Sequence, residues 1–369
     1  MFLGEALVRS HEQNMESMMY RLIILGAFLL LNASCGAGPT SQIPPQAASR
    51  HSGPYVDTSE LVALRQSRGS DDAEQAQADV VLHILHTNDI HGQVLPRKGF
   101  WIDKTNPPPV GGFQALAGYV NQVRADYGAE NVLLVDGGDI YAGTPEGNLT
   151  QGKMIIELMN ALGYNAMVLG NHEFDMGLEV LRGIKTLSKF PILAANVVLR
   201  ATPAGEQAAD LVQPVVIVER GDLKIGLVGV ISQTTPEMTH KSAGEAFEFG
   251  EPLTAIADGV GTLAADGVDV TLVLSHVGHE GEKVLADSVP SKVTAILGGH
   301  SHTAIDPAYR SKETGVTYVQ TRGKVGSVYH LKVRVSAGEV TLEEATLVPL
   351  MANDWEPTPE DPRDRCLLS

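Results

Sequence analysis

Five times in this chain a short apolar run stops at a glycine-bearing loop that carries histidine, aspartate or asparagine. The runs are residues 80–85, 132–135, 166–169, 270–274 and 293–297, and each reads as a buried strand. The loops that follow contain Asp89-x-His91, Asp139, Asn171-His172, His276 and His300-x-His302. In open α/β sheets, ligand sites lie in loops just past the strand ends. The densest of these loops packs Asn171, His172, Glu173 and Asp175 behind Gly170. A cluster that polar is costly to desolvate unless it binds something. Taken alone, the same stretch also fits a helix start capped by Asn171 or Asp175. The four similar loops elsewhere give the binding reading its weight.

Between the strands the spacing turns helical. Residues 111–127 place Phe113, Leu116, Ala117, Val120 and Val123 on one face, and 154–162, 178–187 and 252–265 also read as helices. Strand, polar loop and helix in alternation predict an α/β sheet. Residues 192–195 add a strand, and 215–218 with 224–231 predict a hairpin through Gly221-Asp222. The last part is strand-rich, at 315–320, 327–335 and 340–347, with a turn at Ala337-Gly338. No internal repeat is evident.

Composition narrows the class of function. A chain of 369 residues that is 43% hydrophobic can build one large core or two ordinary ones. A formal charge of −17 argues against a nucleic-acid-binding surface, which needs clustered lysine and arginine. The two cysteines, Cys35 and Cys366, lie outside the body of the chain, so the core has neither a disulfide framework nor zinc-finger spacing.

The N-terminal region reads as a leader and a tether. Residues 22–31 form an apolar run after Arg21, too short to span a bilayer and suited to a signal peptide over 1–35. Glu5, Glu12 and Glu16 precede it, so the reading places the true start at Met15, Met18 or Met19. Ala33-Ser34-Cys35-Gly36 resembles a lipobox, with Asn32 where leucine is usual. A lipid tether through Cys35 and free secretion, periplasmic or at the cell surface, both stay open. Residues 36–78, rich in Ser, Pro, Gln, Ala and Gly, read as a disordered linker. The folded body is expected over 79–350, with a polar, Pro-containing tail at 351–369.

Carboxylate, amide and imidazole ligands together suit divalent ions of the zinc, manganese or iron type. Asp89, His91, Asp139, Asn171, His276, His300 and His302 are too many donors for one tetrahedral ion. They suit two divalent ions sharing a carboxylate.

Five stretches carry a resemblance. They are Thr87-Asn88-Asp89-Ile90-His91-Gly92, Asp136-Gly137-Gly138-Asp139, Gly170-Asn171-His172-Glu173-Phe174-Asp175, Ser275-His276-Val277-Gly278 and Gly299-His300-Ser301-His302. The set resembles the calcineurin-like metallophosphoesterases. Within them it is similar to the catalytic domain of the bacterial 5'-nucleotidase family, which includes UDP-sugar hydrolases and cyclic-nucleotide phosphodiesterases. The resemblance implies an α/β/β/α sandwich of two mixed sheets flanked by helices. It assigns Asp89, His91 and His302 to one metal, Asn171, His276 and His300 to the other, and Asp139 to both. His172 would be the catalytic imidazole and Asp175 its orienting partner, with a metal-bound hydroxide attacking phosphorus. The implied activity is a 5'-nucleotidase-like phosphomonoesterase acting on a small phosphate ester. A phosphodiesterase is the alternative, and a non-catalytic metal-containing binding protein is a third reading. The larger relatives carry a C-terminal domain with substrate-binding arginines and aromatics, which the reading does not expect here.

Other residues have plainer expectations. His83 and His86 suit core packing or contacts that support the ligands, and His279 a helix surface or the pocket mouth; His240 and His330 lack partners at metal spacing. Asp136 and Glu173 suit support of the loops, and Tyr141 and Phe174 suit the core. Arg97, Lys98 and Lys104 fall in the long loop after His91, where a solvated loop and a substrate-phosphate contact both fit. No protein partner is evident.

Overall fold

The computed structural model describes residues 79–200 and 211–355. The expected signal peptide, the Cys35 lipobox, the linker and the tail beyond 355 lie outside the described residues.

Two six-stranded sheets lie face to face. The first contains β1 (Val80–Thr87), β2 (Val132–Asp136), β3 (Ala166–Val168) and β4 (Ile192–Leu193). These four run parallel, and β1 also pairs antiparallel with β11 (Ser327–Ser336), which pairs with β12 (Glu339–Pro349). The second sheet contains β5 (Val215–Arg220), β6 (Leu223–Ile231), β7 (Val270–His276), β8 (Ala295–Leu297), β9 (Tyr309–Arg310) and β10 (Thr317–Val319). Here β6, β7, β8 and β10 are parallel, with antiparallel β5 and β9 at the edges.

The two-residue period of the strands divides the core. Leu82, Ile84, Leu133 and Val135 point between the sheets and meet Leu227, Leu272, Leu274 and Leu297. Leu85 and Leu134 point outward, where α1 (Phe113–Tyr127), α2 (Lys153–Leu162) and α3 (Leu178–Leu187) cover the first sheet. Val228, Val273 and Ile296 point outward from the second, under α4 (Pro252–Ala265) and α5 (His279–Ser288). Burying each such aliphatic side chain contributes about 1.5–3 kcal/mol against leaving it in water. The α4 start is set locally: Glu251 accepts hydrogen bonds from the Leu253 and Thr254 amides, and Pro252 opens the helix.

The four-layer α/β architecture is the one expected. Some local structure differs. The long loop after His91 holds a two-stranded ribbon, Arg97–Lys98 with Pro109–Val110. Val197–Leu199 pairs with Phe247–Phe249, a long-range contact that no local pattern announces. Short helices at Pro145–Leu149, Thr235–Met238 and Lys241–Ala246 also went unread, each too short to show a period. The packed body continues past residue 350: a turn at Ala352–Trp355 sets the indole against Gly118 and Tyr119 of α1. Among the described residues, no helix is long and apolar enough to cross a membrane.

His83 and His330, far from the polar loops, meet across β1 and β11. Their rings are joined Nδ1 to Nε2 at 2.9 Å, and the Tyr119 hydroxyl lies 2.9 Å from His330 Nδ1. Burial lowers the pKa of both, with Lys332 adding to it at His83; His330, which also faces His83, falls to about 4. From an ordinary value near 6.5 down to about 4, the unfolded chain therefore binds a proton that the folded chain refuses. Stability is full above that window and falls as pH drops through it. We expect melting temperature to fall between about pH 7 and pH 5, and His330→Gln to flatten that slope. Equal slopes in both proteins would contradict this origin.

Candidate metal centre

All five polar loops lie at the carboxyl ends of parallel strands, three on the first sheet and two on the second. The sandwich brings them to one seam. His302 Nε2 lies 3.2 Å from Asp89 Oδ1 and 2.8 Å from His91 Nε2. His276 Nε2 lies 3.1 Å from Asp139 Oδ2, and His300 Nδ1 lies 2.9 Å from Asn171 Oδ1. Two donor groups result, Asp89–His91–His302 and Asp139–His276–His300, and a third, His91–Asp139–His172, overlaps both. The structure thus brings together all seven expected ligands, with His172 beside them.

Several features fit these groups to divalent cations. His276 is buried and donates Nδ1–H to the Gly137 carbonyl at 2.6 Å, which leaves Nε2, a nitrogen with no hydrogen-bond partner, as the atom that could take a cation. His91 likewise turns its Nδ1 to the Ala142 carbonyl. The carboxyl groups are ionised despite burial: burial opposes the charge on Asp139, but His276, His172 and His91 hold its pKa well below the usual range. Asp89 is held low in the same way, with His302 and His276 outweighing burial. The backbone is also unusual. Asp89, His91, Asp139, His300 and His302 have φ of 52°, 50°, 60°, 77° and 51°. A left-handed conformation costs a non-glycine residue about 1–2 kcal/mol. Such outliers gather at ligand sites because the surrounding structure enforces them.

Two buried glutamates enforce it. Glu173 accepts hydrogen bonds from the amides of Gly170, Asp139 and Ile140, at 2.6, 2.9 and 2.9 Å, and so joins the β2 and β3 loops. Glu282 does the same on the second sheet, accepting from the Gly299 amide at 3.0 Å and the Val277 amide at 3.2 Å. Asn88 bridges β1 to a distant segment, accepting from the Thr321 amide at 2.8 Å and donating to Asp89 Oδ2 at 2.6 Å. Gly170 is needed for close approach, since a Cβ there would overlap Asp139 Oδ1.

His172 and Asp175 form a separate dyad. His172 Nδ1 lies 2.5 Å from Asp175 Oδ2, and Asp175 Oδ1 accepts from the Thr239 hydroxyl at 2.7 Å. The 3-10 turn His172–Phe174 supplies the i, i+3 approach; neither Asn171 nor Asp175 caps a helix start, and the next helix begins only at Leu178, after Gly177. The hydrogen bond to Asp175 outweighs partial burial and raises the His172 pKa to about 9. The His172 side chain is 33% exposed, whereas His276 is 0% exposed. Its ring centroid is 5.3 Å from that of His91, so it stands at the mouth of the ligand cluster.

The other histidines among the described residues do not join the cluster. His86 donates Nε2–H to the Gly298 carbonyl at 2.9 Å. His279 opens α5 and stacks on Tyr318. Asp136 accepts from the Gly138 amide and the Thr87 hydroxyl; Tyr141 and Phe174 are buried in the core. Glu282, Asn88 and Thr239 were missed in the sequence.

A fold of two mixed sheets between helices, with histidine and carboxylate loops converging on their seam, defines a class. The family description "Calcineurin-like phosphoesterase" matches residues 82–304, and the chain belongs to that family. Among its relatives, bovine 5'-nucleotidase is 38% identical over 226 residues, which are 60% of this chain and 38% of that protein. Human 5'-nucleotidase is 36% identical over 224 residues, with the same shares. The chain therefore spans about two-fifths of the length of these relatives. The crystal structure of a 5'-nucleotidase precursor from Thermus thermophilus superposes with a TM-score of 0.68 at 30% identity, covering 78% of this chain and 57% of that one. An NAD nucleotidase from Haemophilus influenzae gives 0.64 at 25% identity, covering 74% and 51%.

Proposed function

We propose that this chain is a dinuclear, metal-dependent phosphomonoesterase of 5'-nucleotidase type. The observation that carries the reading is the His172–Asp175 dyad standing at the mouth of seven metal-suited donors. Holding cations requires no such dyad, whereas phosphate-ester cleavage uses a proton donor for the leaving oxygen.

Asp89, His91 and His302 would hold one ion, Asn171, His276 and His300 the other, with Asp139 shared. Zinc, manganese and iron suit this donor set. Two such ions supply a water of lowered pKa and neutralise the phosphoryl oxygens. The chain's own residues do the rest. Asp175 takes the Nδ1 proton of His172 as a hydrogen bond and turns Nε2 toward the site. With its pKa raised, His172 carries a proton at Nε2 near neutral pH and can give it to the departing alkoxide. Thr239 fixes the other Asp175 oxygen, and the Asp139 Oδ1 hydrogen bond from the His172 amide, at 2.9 Å, ties the dyad to the donors. Glu173 and Glu282 hold the loops in their left-handed conformation, so no reorganisation is needed when substrate arrives.

Nucleoside monophosphates are the proposed substrates, supported by the 5'-nucleotidase relatives. We also propose export, periplasmic or at the cell surface, on the strength of the apolar run at residues 22–31, with a lipid anchor at Cys35. The test of function is phosphate release by the metal-reconstituted full chain on a panel of nucleoside monophosphates, a cyclic nucleotide, a UDP-sugar and NAD. Fastest turnover of the monophosphates is expected. A fully metallated protein inert on the whole panel would overturn the enzymatic reading, and a preference for diesters would replace the monoesterase.

A further inference from the structure

In the long loop after His91, for which a solvated loop and a phosphate contact both fit, Arg97 meets Arg322, from the segment after β10, on the indole of Trp101. The Arg97 guanidinium carbon lies 4.6 Å from the Trp101 ring centroid, and that of Arg322 lies 5.6 Å from the same ring. Gly326 lies beside both: its Cβ position is 3.4 Å from Arg97 Nη2 and from the Trp101 ring edge. Among the described residues neither guanidinium makes an ion pair, and the buried Arg97 Nε has no hydrogen-bond partner. The acid in the same loop, Asp103, is engaged with the Thr105 and Asn106 amides. Burial, then repulsion from Arg322, lowers the Arg97 pKa. Two cations held together without a counter-charge are relieved by an anion, and the forked donors of arginine suit a tetrahedral oxyanion.

We propose that Arg97 and Arg322, braced on Trp101, form a phosphate-binding site outside the metal centre. It adjoins the centre through the backbone. Arg322 sits between Thr321, which holds Asn88, and Gly323, which packs against Asp89. The Lys324 amide then donates to the Asp89 carbonyl at 2.6 Å. Filling the site would order the segment that backs Asp89. The proposal stands whether or not the metal centre cleaves nucleotides. The phosphate group could be free or borne by a molecule that also reaches the metal centre.

The chain has two tryptophans, so Trp355→Phe leaves Trp101 as the sole indole reporter. Titrating that full-length protein with inorganic phosphate should give a saturable change in fluorescence. Arg97→Gln or Arg322→Gln should weaken binding about tenfold or more, and Arg322→Lys less. Asp139→Asn should leave phosphate binding intact, since the metal centre is not the site read. Methylene diphosphonate identifies the source: tighter binding than phosphate, lost in Asp139→Asn, marks a group borne by a molecule spanning both sites. Equal binding marks free phosphate. The phosphate dependence of the melting temperature, with and without Arg322→Gln in the otherwise unaltered chain, gives the comparison if Trp355→Phe folds poorly. No saturable response, or one unchanged by both glutamine substitutions, or one abolished by Asp139→Asn, would overturn the proposal.

Discussion

Replacing Asp139 with alanine is expected to lower phosphate release on the order of a thousandfold or more, and to strip the protein of most of its metal. The size follows from what one carboxylate touches. Oδ2 faces His276 at 3.1 Å and His91 at 4.0 Å, donors carried by different sheets. Oδ1 accepts from the amide of His172 at 2.9 Å. If Asp139 is shared as proposed, a single deletion removes a ligand from both ions and loosens the dyad. The fold should survive, because Asp139 sits in a loop that Glu173 holds through main-chain amides. Asp139→Asn keeps the volume and lowers the charge, so it should retain more metal than alanine and still lose most activity. Metal content by elemental analysis, read beside phosphate release and melting temperature, separates these effects. Full activity at full metal content in Asp139→Ala would contradict the shared-ligand assignment.

The second large effect is at His172. His172→Ala should lower kcat by about 10²–10⁴ while metal content stays near normal, if the dyad offers a proton as proposed rather than a cation ligand. Asp175→Asn should cost less, about 10–100-fold, since it disturbs the orientation and charge of the imidazole without removing it. The role has its own fingerprint. A nucleoside leaves as a strongly basic alkoxide and needs the proton; p-nitrophenol leaves readily without it. The His172→Ala deficit should therefore be much smaller with p-nitrophenyl phosphate than with a nucleoside monophosphate. Equal deficits on both esters would rule out proton donation and leave His172 a charge-stabilising or structural role.

The ligand loops were legible because two strong local signals coincide in them. A buried strand must be apolar, and a cation site must be polar, so the boundary at Val168-Leu169-Gly170-Asn171 is abrupt. The helices with long apolar faces, such as Phe113–Tyr127, were legible for the same reason of period. What was not legible depends on distance along the chain. Glu280 and Glu282 look alike as acids in the first turn of a helix, yet Glu282 is 0% exposed and grips Gly299 of another loop. Asn88 resembles any loop amide beside an aspartate; its partner Thr321 is 233 positions away. Thr239 reaches Asp175 across 64 positions. His330 found its partner His83 only when β11 paired with β1. Local sequence shows which residues are unusual, and tertiary pairing decides which plain ones support them.

The seam between the sheets has a consequence for how the molecule is assembled. Asp89 and His302 come from opposite sheets, as do Asp139 and His276, and the first pair is separated by most of the folded chain. A cation taken up there ties the ends of a very long loop, as a cross-link would, and does so without any cysteine in the body of the chain. Neither half of the polypeptide can present the whole ligand set. Metal capture at the proposed centre would thus need both halves folded and docked.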